Sequence, residues 1–242
     1  MFRTLSLLSK NVAIAESSSF ILKTGTKADR NDIIEFMKKN FMNQESLTRM
    51  YPMKPDRWVR CAIQVIDRSL LHPISFILRD KTTNEITSVG LNSIWTKPDP
   101  NDPKRNEYFE FDIDETDERQ VAVEEISNKL HDKFFKLKPE LDKVILIEMI
   151  AVASGYKRKG QFVELVECAE DILLKKKYGV QAIVAQATSV ATQRAGEKLN
   201  YTFVTEEKLA DYKDKNGNQL LVSDDGMTSV KLIYKTFDQK KE

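Results

Sequence analysis

The chain has 242 residues, of which 41% are hydrophobic and 31% are charged. These proportions are typical of a folded globular protein and exclude a disordered or fibrous chain. The 38 Lys and Arg residues nearly balance the 37 Asp and Glu residues, which leaves a net charge of +1. A general nucleic-acid-binding protein usually carries a clear basic excess, so we expect no nucleic-acid partner.

Few residues are available for metal or nucleophile chemistry. Cys61, Cys168, His72 and His131 are the only cysteines and histidines. They form none of the CxxC or HExxH spacings of metal sites, so no metal is expected. Neither histidine lies in a recognisable nucleophile motif, and both cysteines are expected to be buried in a reducing compartment. No apolar run approaches the roughly 20 residues that span a bilayer, so no membrane partner is expected.

The first 18 residues differ in composition from the rest of the chain. They contain Arg3 and Lys10, several serines and leucines, and Glu16 as the one acidic residue. This composition predicts a flexible leader over 1–18 in a cytoplasmic protein, and a weak mitochondrial presequence is the alternative.

The first half of the chain predicts strands and helices. Residues 20–24 (FILKT) predict a strand, and the apolar stripe of the following helix ends near Asn40. A polar loop, NFMNQESL, separates this helix from a second one that ends before Pro73, because proline cannot continue a helix. ISFILRD and EITSVGLNSIW then predict two strands joined by a hairpin connection, before a proline-rich loop at 97–108.

In the second half, a long helical pattern precedes 143–152 (KVILIEMIAV), whose apolar run is typical of a strand covered on both faces. The period then changes to that of a helix, which Gly179 is expected to end as a left-handed cap. A buried strand at 180–186, a short helix, a strand and a final strand at 230–237 follow. The chain shows no repeat and no domain linker, which predicts one α/β domain with a mixed sheet over 19–238.

The turn after the 143–152 strand has the features of a phosphate-binding site. In AVASGYKRKGQFVEL (151–165), three basic residues and Gly160 connect the strand to the next helix. The first N–H groups of a helix are unsatisfied and carry the positive end of its dipole, and glycine lets the backbone approach a ligand closely. The turn is neither a Walker loop nor the GxGxxG of dinucleotide folds. An ordinary solvated connection is the alternative.

The strand, the YKRKG turn, the helix and the VQAIVAQ and YTF strands together resemble the GNAT acyltransferase superfamily from about residue 20 to 237. AGEKLNYTF is similar to the family's EKLGF ending. The family's turn follows the pattern [QR]xxGx[GA], in which Lys157 here replaces Gln or Arg and Phe162 replaces Gly or Ala. The resemblance implies a central, mostly antiparallel sheet that is flanked by helices and splayed at the cofactor site.

The same resemblance implies acetyl-CoA as a co-substrate that is held largely by backbone groups. The pantetheine arm pairs in the family with the fourth strand, which corresponds here to Ile150, Ala151 and Val152. The pyrophosphate accepts hydrogen bonds from the N–H groups of the turn, which corresponds here to Lys157, Arg158, Lys159, Gly160, Gln161 and Phe162.

A narrower resemblance is to the insect-type arylalkylamine N-acetyltransferases, which acetylate dopamine, tyramine, octopamine and serotonin. IIEFMKKNFMNQESL is similar to their FLxxNFFxxEPL stretch, and LADYKDKNG is similar to their ADYK stretch. The resemblance implies that Glu45 is the general base and that Thr188 and Thr192 supply assisting hydroxyls, while Ser46 stands where the group has proline. It further implies direct acetyl transfer to a small aromatic amine in a ternary complex, without a covalent enzyme intermediate.

Other interpretations of the candidate residues are open at this stage. Glu148 interrupts an apolar strand beside the cofactor site and is a rival base, with an ion pair as its alternative role. Glu45 is otherwise a surface carboxylate, and Thr188 is otherwise a helix cap. Three aromatic residues are candidates for an amine pocket, with core packing as the alternative: Tyr51, Trp58 and Trp95.

Two further functions compete with acetylation of an aromatic amine. One is acetylation of a polyamine, an amino acid or a protein lysine, and the other is a GNAT-fold module that binds a ligand without turnover. In the enzyme interpretation, the partner is a small-molecule amine and the chain is expected to act as a monomer.

Overall fold

The computed structural model describes residues 19–51, 53–97, 116–174 and 177–236, together with the backbone of two short strands at 3–4 and 13–16. Its strands and helices follow in chain order as β1 Arg3–Thr4, β2 Ala13–Glu16, β3 Phe20–Thr24, α1 Arg30–Asn40, α2 Ser46–Met50, α3 Pro55–Ser69, β4 Phe76–Asp80, β5 Ile86–Thr96, α4 Glu118–Leu137, β6 Lys143–Val152, α5 Gln161–Leu174, β7 Ala182–Ala187, α6 Val190–Lys198, β8 Thr202–Lys208 and β9 Ser229–Lys235. None of the helices in these ranges has the length and apolar character needed to cross a membrane.

The strands form a single sheet in the order β1-β2-β3-β4-β5-β6-β7-β9-β8. Neighbouring strands are antiparallel except β6 and β7, which are parallel. This arrangement confirms the predicted mixed, mostly antiparallel sheet. Strands β1 and β2 continue the sheet beyond β3, and the predicted leader stays a prediction because most of residues 1–18 lie outside the described part of the chain.

The parallel pair separates along its length. Its pairing runs from Val144 opposite Ala182 to Ile147 opposite Ala185, whereas β6 itself continues to Val152. Beyond Ile147 the strand remains paired with β5 on its other edge, so its free edge faces the gap. The sheet is therefore splayed at the position where the sequence places the cofactor site, as expected.

A β-bulge interrupts the pairing of β5 with β6 at Glu148. Leu91 pairs with Met149 and Asn92 pairs with Ile147, so Glu148 is the additional residue of β6. A bulge bends its strand and redirects a side chain, and bulges are common beside active sites. The bulge accounts for a carboxylate within an otherwise apolar run.

Three apolar clusters hold the helices against the sheet. The first joins α4 to β6, β7 and β9, the second joins α1 and α3 to β4 and β5, and the third joins α5 to β4, β6 and β7. Their fully buried members include Phe134, Ile126 and Leu130 in the first cluster, Ile33, Met37 and Ile66 in the second, and Leu165, Ala169 and Ile183 in the third. Each large apolar side chain buried in this way contributes about 1.5–3 kcal/mol.

Helix α5 lies unusually close to β5 because of Gly90. A Cβ atom at this position would lie 3.2 Å from the Cβ atom of Leu165. Glycine thus permits the close approach that brings the N-terminus of α5 beside the gap between β6 and β7.

Three local predictions are wrong. The expected polar loop after α1 contains the short helix α2, because Glu45 caps it and Leu47 and Met50 bury its apolar face. The described part of α5 reaches Leu174, and Gly179 (φ +66°) is not its cap, because the left-handed Tyr178 (φ +61°) interrupts helical geometry one residue earlier, within a 3-10 turn. Thr188, whose alternative role was a helix cap, lies one residue before α6's cap, which is Ser189.

Candidate active site

The splayed strands form one wall of a cavity of about 750 Å³. The other walls come from the α1–α2 connection, α3, α4, the turn before α5 and the β7–α6 connection. Ile150, Ala151 and Val152 line the cavity, as predicted for the strand that holds the cofactor arm. The structure brings them into the same space as Glu45 and Thr188.

The turn before α5 has the backbone geometry of an anion site. Arg158 and Gly160 adopt left-handed conformations with φ +64° and +83°, of which the second suits a glycine. Helix α5 begins directly afterwards at Gln161. The N–H groups of its first turn lack intrahelical acceptors, and with the helix dipole they favour a negatively charged ligand.

The side chains of the turn divide between the cavity and the outer surface. Lys157 and Arg158 line the cavity, whereas Lys159 is absent from its described lining. The Lys159 Nζ atom lies 4.8 Å from the ring centre of Tyr156, whose hydroxyl donates a 3.2 Å hydrogen bond to Asp80. These contacts fasten the turn to the end of β4 and leave Lys159 to contribute its backbone.

The first two residues of α5 are unusual for a phosphate-binding turn. Gln161 is only 2% exposed, and neither atom of its side-chain amide has a hydrogen-bond partner among the described residues. Phe162 is half-buried, and its side chain lines the cavity. Both side chains therefore stand where a bound ligand would meet the helix.

Glu45 is the N-cap of α2, and one of its two carboxylate oxygens makes the capping contacts. Its Oε2 atom accepts hydrogen bonds from the Thr48 backbone N–H at 2.7 Å and the Thr48 hydroxyl at 2.9 Å. Its Oε1 atom is buried and has no hydrogen-bond partner in the described part of the chain. Glu45 itself is one of the residues that line the cavity.

Two of the three predicted pocket aromatics line the same cavity as Glu45. Tyr51 and Trp58 both line the cavity, and the Trp58 ring lies 6.3 Å from that of Phe41. Burial raises the pKa of the Tyr51 hydroxyl, and the nearby charge of Glu45 raises it further. Tyr51 is therefore a neutral hydrogen-bonding group at pH 7.

Trp95 was expected in the same pocket, and this prediction is wrong. It is 7% exposed and packs within the core, with its ring centre 4.8 Å from Phe135 and 5.5 Å from Phe134. The side chains of successive strand residues point to opposite faces, and position 95 of β5 faces α4 rather than the gap.

Of the two roles weighed for Glu148, the structure shows the ion pair. Both of its carboxylate oxygens accept 2.7 Å hydrogen bonds from Arg68 of α3, and the Ser93 hydroxyl donates to Oε1 at 2.5 Å. The Glu148 side chain is 7% exposed and also lines the cavity. A carboxylate with both oxygens engaged by a guanidinium is poorly suited to take a proton.

The two candidate hydroxyls have different surroundings. Ser189 caps α6, and Thr192 completes a capping box in which its hydroxyl accepts from the Ser189 N–H at 3.0 Å. Thr188 lies one residue before the cap and is half-buried. Both line the cavity, but the Thr192 hydroxyl already serves the helix end.

His131 lines the cavity, although no sequence motif identified it as a site residue. Its ring centre lies 4.8 Å from Trp95, and burial lowers its pKa to about 4. The imidazole is therefore neutral at pH 7. Arg68 was missed as well, because no local pattern on α3 signals that it meets Glu148 80 residues later.

The cysteines and acidic groups suggest neither a covalent nucleophile nor a metal centre. Burial and, to a smaller extent, the nearby charge of Glu164 together raise the pKa of the Cys168 thiol to about 12, so the thiol is protonated at pH 7. Cys61 lines the cavity. The described residues contain no group of three His, Cys, Asp or Glu side chains that could hold a metal ion.

Solved structures share this architecture over most of their length. Arylalkylamine N-acetyltransferase 2 from Aedes aegypti is 22% identical, with a TM-score of 0.75 over 90% of this chain and 99% of that one. Mosquito arylalkylamine N-acetyltransferase like 5b is 20% identical, with a TM-score of 0.71 over 90% of this chain and 100% of that one. The chain thus has the GNAT acetyltransferase fold, and it resembles the insect arylalkylamine N-acetyltransferases within that fold.

A third structure widens the range of acceptors found on the same fold. The polyamine N-acetyltransferase of Drosophila melanogaster, which forms N-acetylagmatine, is 11% identical, with a TM-score of 0.70 over 90% of this chain and 100% of that one. No protein-family model matches the sequence, and no curated protein matches it by sequence. At these identities the likeness establishes the fold, and the acceptor must be argued from the cavity.

Proposed function

We propose that the protein is an acetyl-CoA-dependent N-acetyltransferase that acts on a small aromatic amine. The observation that carries the proposal is Glu45, whose buried Oε1 atom has no partner among the described residues and whose side chain lines the cavity. The free edge of β6 and the start of α5 line the same cavity. A base, a strand edge and an anion site in one space are what acetyl transfer to an amine requires.

The residues of the donor side fit acetyl-CoA. The free edge of β6 at Ile150–Val152 offers backbone groups to an extended pantetheine arm, and the turn from Lys157 to Phe162 offers N–H groups to a pyrophosphate. The unsatisfied amide of Gln161 also stands ready for a polar ligand group. When bound, acetyl-CoA supplies an activated thioester, which backbone N–H groups of β6 would polarise.

Glu45 removes the proton that prevents the amine from attacking. An alkylamine is mostly protonated at neutral pH, and a carboxylate within hydrogen-bond reach, directly or through one water, can take that proton. The Oε1 atom is the acceptor in this step, because Oε2 is held by Thr48. When the carbon–sulfur bond breaks, the hydroxyl of Thr188 or Thr192 gives its proton to the departing thiolate. The second proton that the attacking nitrogen loses then restores this hydroxyl.

The aromatic residues favour an aromatic acceptor. Phe41, Tyr51 and Trp58 line the cavity beside Glu45, and aromatic rings attract both an apolar ring and its cationic amine. A polyamine would need several free carboxylates, whereas Glu148 is already neutralised by Arg68.

Binding without turnover is the second candidate function. One observation favours it: Phe162 lines the cavity at the position where the family has Gly or Ala. A side chain of this size in the turn would weaken pyrophosphate binding if it stays in place when a ligand enters.

The experiment that tests the proposed function measures thiol release from acetyl-CoA with aromatic amines, polyamines and lysine peptides. We expect turnover with aromatic amines, reduced about 100-fold or more in Glu45→Gln, the effect typical of removing a general base. Glu140→Gln, at an exposed residue outside the described cavity lining, is the matched control and should match the wild type.

Each other outcome has a defined meaning. Full activity of Glu45→Gln would rule out Glu45 as the base. Turnover confined to polyamines would show that the acceptor is a polyamine and not an aromatic amine. Acetyl-CoA binding without turnover on any acceptor would favour the binding module.

A further inference from the structure

One carboxylate on the loop before β9 connects two parts of the candidate active site. The Asp225 Oδ2 atom accepts hydrogen bonds from the Ser46 hydroxyl at 3.1 Å and from the Val190 backbone N–H at 3.0 Å. Its Oδ1 atom accepts from the Ser223 hydroxyl and from the Met227 N–H at 3.0 Å. Both oxygens are therefore engaged, and the carboxylate is held in one orientation.

The two groups on Oδ2 belong to the segments that carry the proposed chemistry. Ser46 is 4% exposed and directly follows Glu45, so it is the first residue of α2. Val190 is the first residue of α6 and follows Thr188 and Ser189. A single oxygen atom thus joins the start of the helix that Glu45 caps to the start of α6, which bears Thr192 and follows Thr188 closely in the chain.

The bridge depends on the residue that departs from the family pattern. Proline at the first position of a helix is well tolerated, because the N–H group it lacks has no intrahelical partner there. Proline at position 46 would nevertheless remove the hydroxyl that donates to Asp225. Serine at this position supplies a cross-link that the family residue cannot form.

The charge state of Asp225 suits this role. Partial burial acts to raise the pKa of its carboxyl, but hydrogen bonds from Ser223, Met227, Val190 and Ser46 lower it below the usual value. The group is therefore an ionised acceptor, and hydrogen bonds to an ionised acceptor are stronger than neutral ones.

We propose that Asp225 is a positioning residue that fixes Glu45 relative to Thr188 and Thr192 through Ser46 and Val190. The proposal rests on the proposed acetyl transfer and adds to it a residue far away in sequence. Acetyl transfer needs the base and the proton-returning hydroxyl on opposite sides of one reacting centre, and displacements of about 1 Å in such arrangements can cost about 100-fold in rate.

The test compares Ser46→Ala, Ser46→Pro, Ser46→Thr and Asp225→Ala. We expect Ser46→Ala, Ser46→Pro and Asp225→Ala to lower kcat about tenfold, with the KM and Kd for acetyl-CoA unchanged because the donor turn is untouched. Ser46→Thr keeps the hydroxyl and should retain activity within threefold of the wild type. In the Asp225→Ala background, adding Ser46→Ala should lower kcat no further, because the bridge is already absent.

Asp224→Asn is the matched control. Asp224 is the neighbouring loop carboxylate, and its ion pair with Arg49 is exposed, with a 62% exposed Asp224 side chain. Exposed pairs contribute little, so this variant should stay within twofold of the wild type.

Hydrogen–deuterium exchange tests the bridge without relying on turnover. In Asp225→Ala we expect faster exchange at residues 46–50 and 190–194, besides the change in its own loop, where the Met227 N–H loses its acceptor. Unchanged exchange, unchanged kcat, or an equal loss of kcat in Asp224→Asn would overturn the positioning role. A wild-type protein that acetylates no amine would instead overturn the proposed function, and the positioning role with it, whatever the exchange of the variants shows.

Discussion

The carboxylate of Glu45 performs two tasks with its two oxygens. Oε2 caps α2 through Thr48, and this contact fixes the side-chain rotamer. Oε1 is thereby held in a buried position with no partner among the described residues. Leaving a buried acceptor unsatisfied costs about 1–3 kcal/mol, a cost that a bound ammonium group would remove. In the proposed mechanism, this atom is the one that accepts the proton of the amine.

The roles of Thr188 and Thr192 can be distinguished by measuring the activity and the stability of each variant separately. Thr192→Val removes the hydroxyl of the capping box and should lower the free energy of unfolding by about 1 kcal/mol. Thr188→Val leaves the cap intact, so we expect unchanged stability and a kcat about tenfold lower. Urea unfolding and steady-state kinetics on both variants check this. A loss of kcat in Thr192→Val at unchanged stability would reverse the assignment.

His131 makes stability depend on pH. Because burial lowers its pKa from 6.5 to about 4, the unfolded chain binds the proton more readily between these values. Its contribution to stability is therefore present above pH 6.5 and is lost as pH falls from 6.5 towards 4. At 1.36 kcal/mol per pKa unit, we expect a loss of about 2 kcal/mol between pH 7 and 4.5.

His131→Phe is the comparison for this pH dependence. Carboxylates elsewhere titrate in both proteins, so the quantity to measure is the difference between wild type and variant in urea unfolding at pH 7 and 4.5. The variant should lose less stability on acidification. Equal losses would show that His131 does not carry this part of the pH dependence.

At the scale of elements, the turn and α5 form the proposed cofactor site. The left-handed residues Arg158 and Gly160 direct the chain into the helix, and Tyr156 fastens the turn to Asp80. These features come from the backbone and from one hydrogen bond, so they tolerate the basic side chains found here. Phe162 is a large residue of the turn that lines the cavity, at a position where the family has Gly or Ala.

Replacing Phe162 by alanine should therefore strengthen cofactor binding. Alanine has a higher helix propensity than phenylalanine, so the helix start is preserved. We expect the Kd for acetyl-CoA, measured by calorimetry, to fall about fivefold. Leu174→Ala removes a 57% exposed side chain from the far end of the same helix and should leave the Kd unchanged. A weaker affinity in Phe162→Ala would show that the ring contacts the cofactor favourably.

At the scale of the whole molecule, the cavity exists because two halves of the sheet diverge. Beyond the pairing of Ile147 with Ala185, β6 follows β5 while β7 follows β9. The apolar clusters under α5 and α4 hold these halves on either side of the gap. A ligand that fills the gap and pairs with the free edge of β6 would connect the two halves.

A ligand of this kind should stabilise the entire fold. At a concentration of acetyl-CoA 100 times its Kd, linkage raises the free energy of unfolding by about 2.7 kcal/mol. Thermal unfolding with and without acetyl-CoA measures this effect, with adenosine as the control that lacks the pantetheine arm. No shift with acetyl-CoA at millimolar concentration would contradict the assignment of the cofactor site.

Local patterns in the sequence determined the strands at 20–24 and 143–152, the helical periods and the glycine-containing turn. These features depend on neighbours within a few residues, through side-chain alternation, helix periodicity and the conformational freedom of glycine. The family resemblance directed attention to Glu45 and the turn. Trp95 was a candidate for the pocket because it is aromatic, but the orientation of β5 puts it in the core.

Only the tertiary structure decided which distant residues meet. The pairing of Arg68 with Glu148 and the Asp225 bridge join segments from different parts of the chain. The burial that lowers the pKa of His131 also depends on tertiary packing. The bulge at Glu148 and the helix cap at Ser189 determined which polar side chains already have hydrogen-bond partners and which face the cavity. Such contacts depend on how strands and helices pack, and packing joins residues whose spacing along the chain carries no pattern.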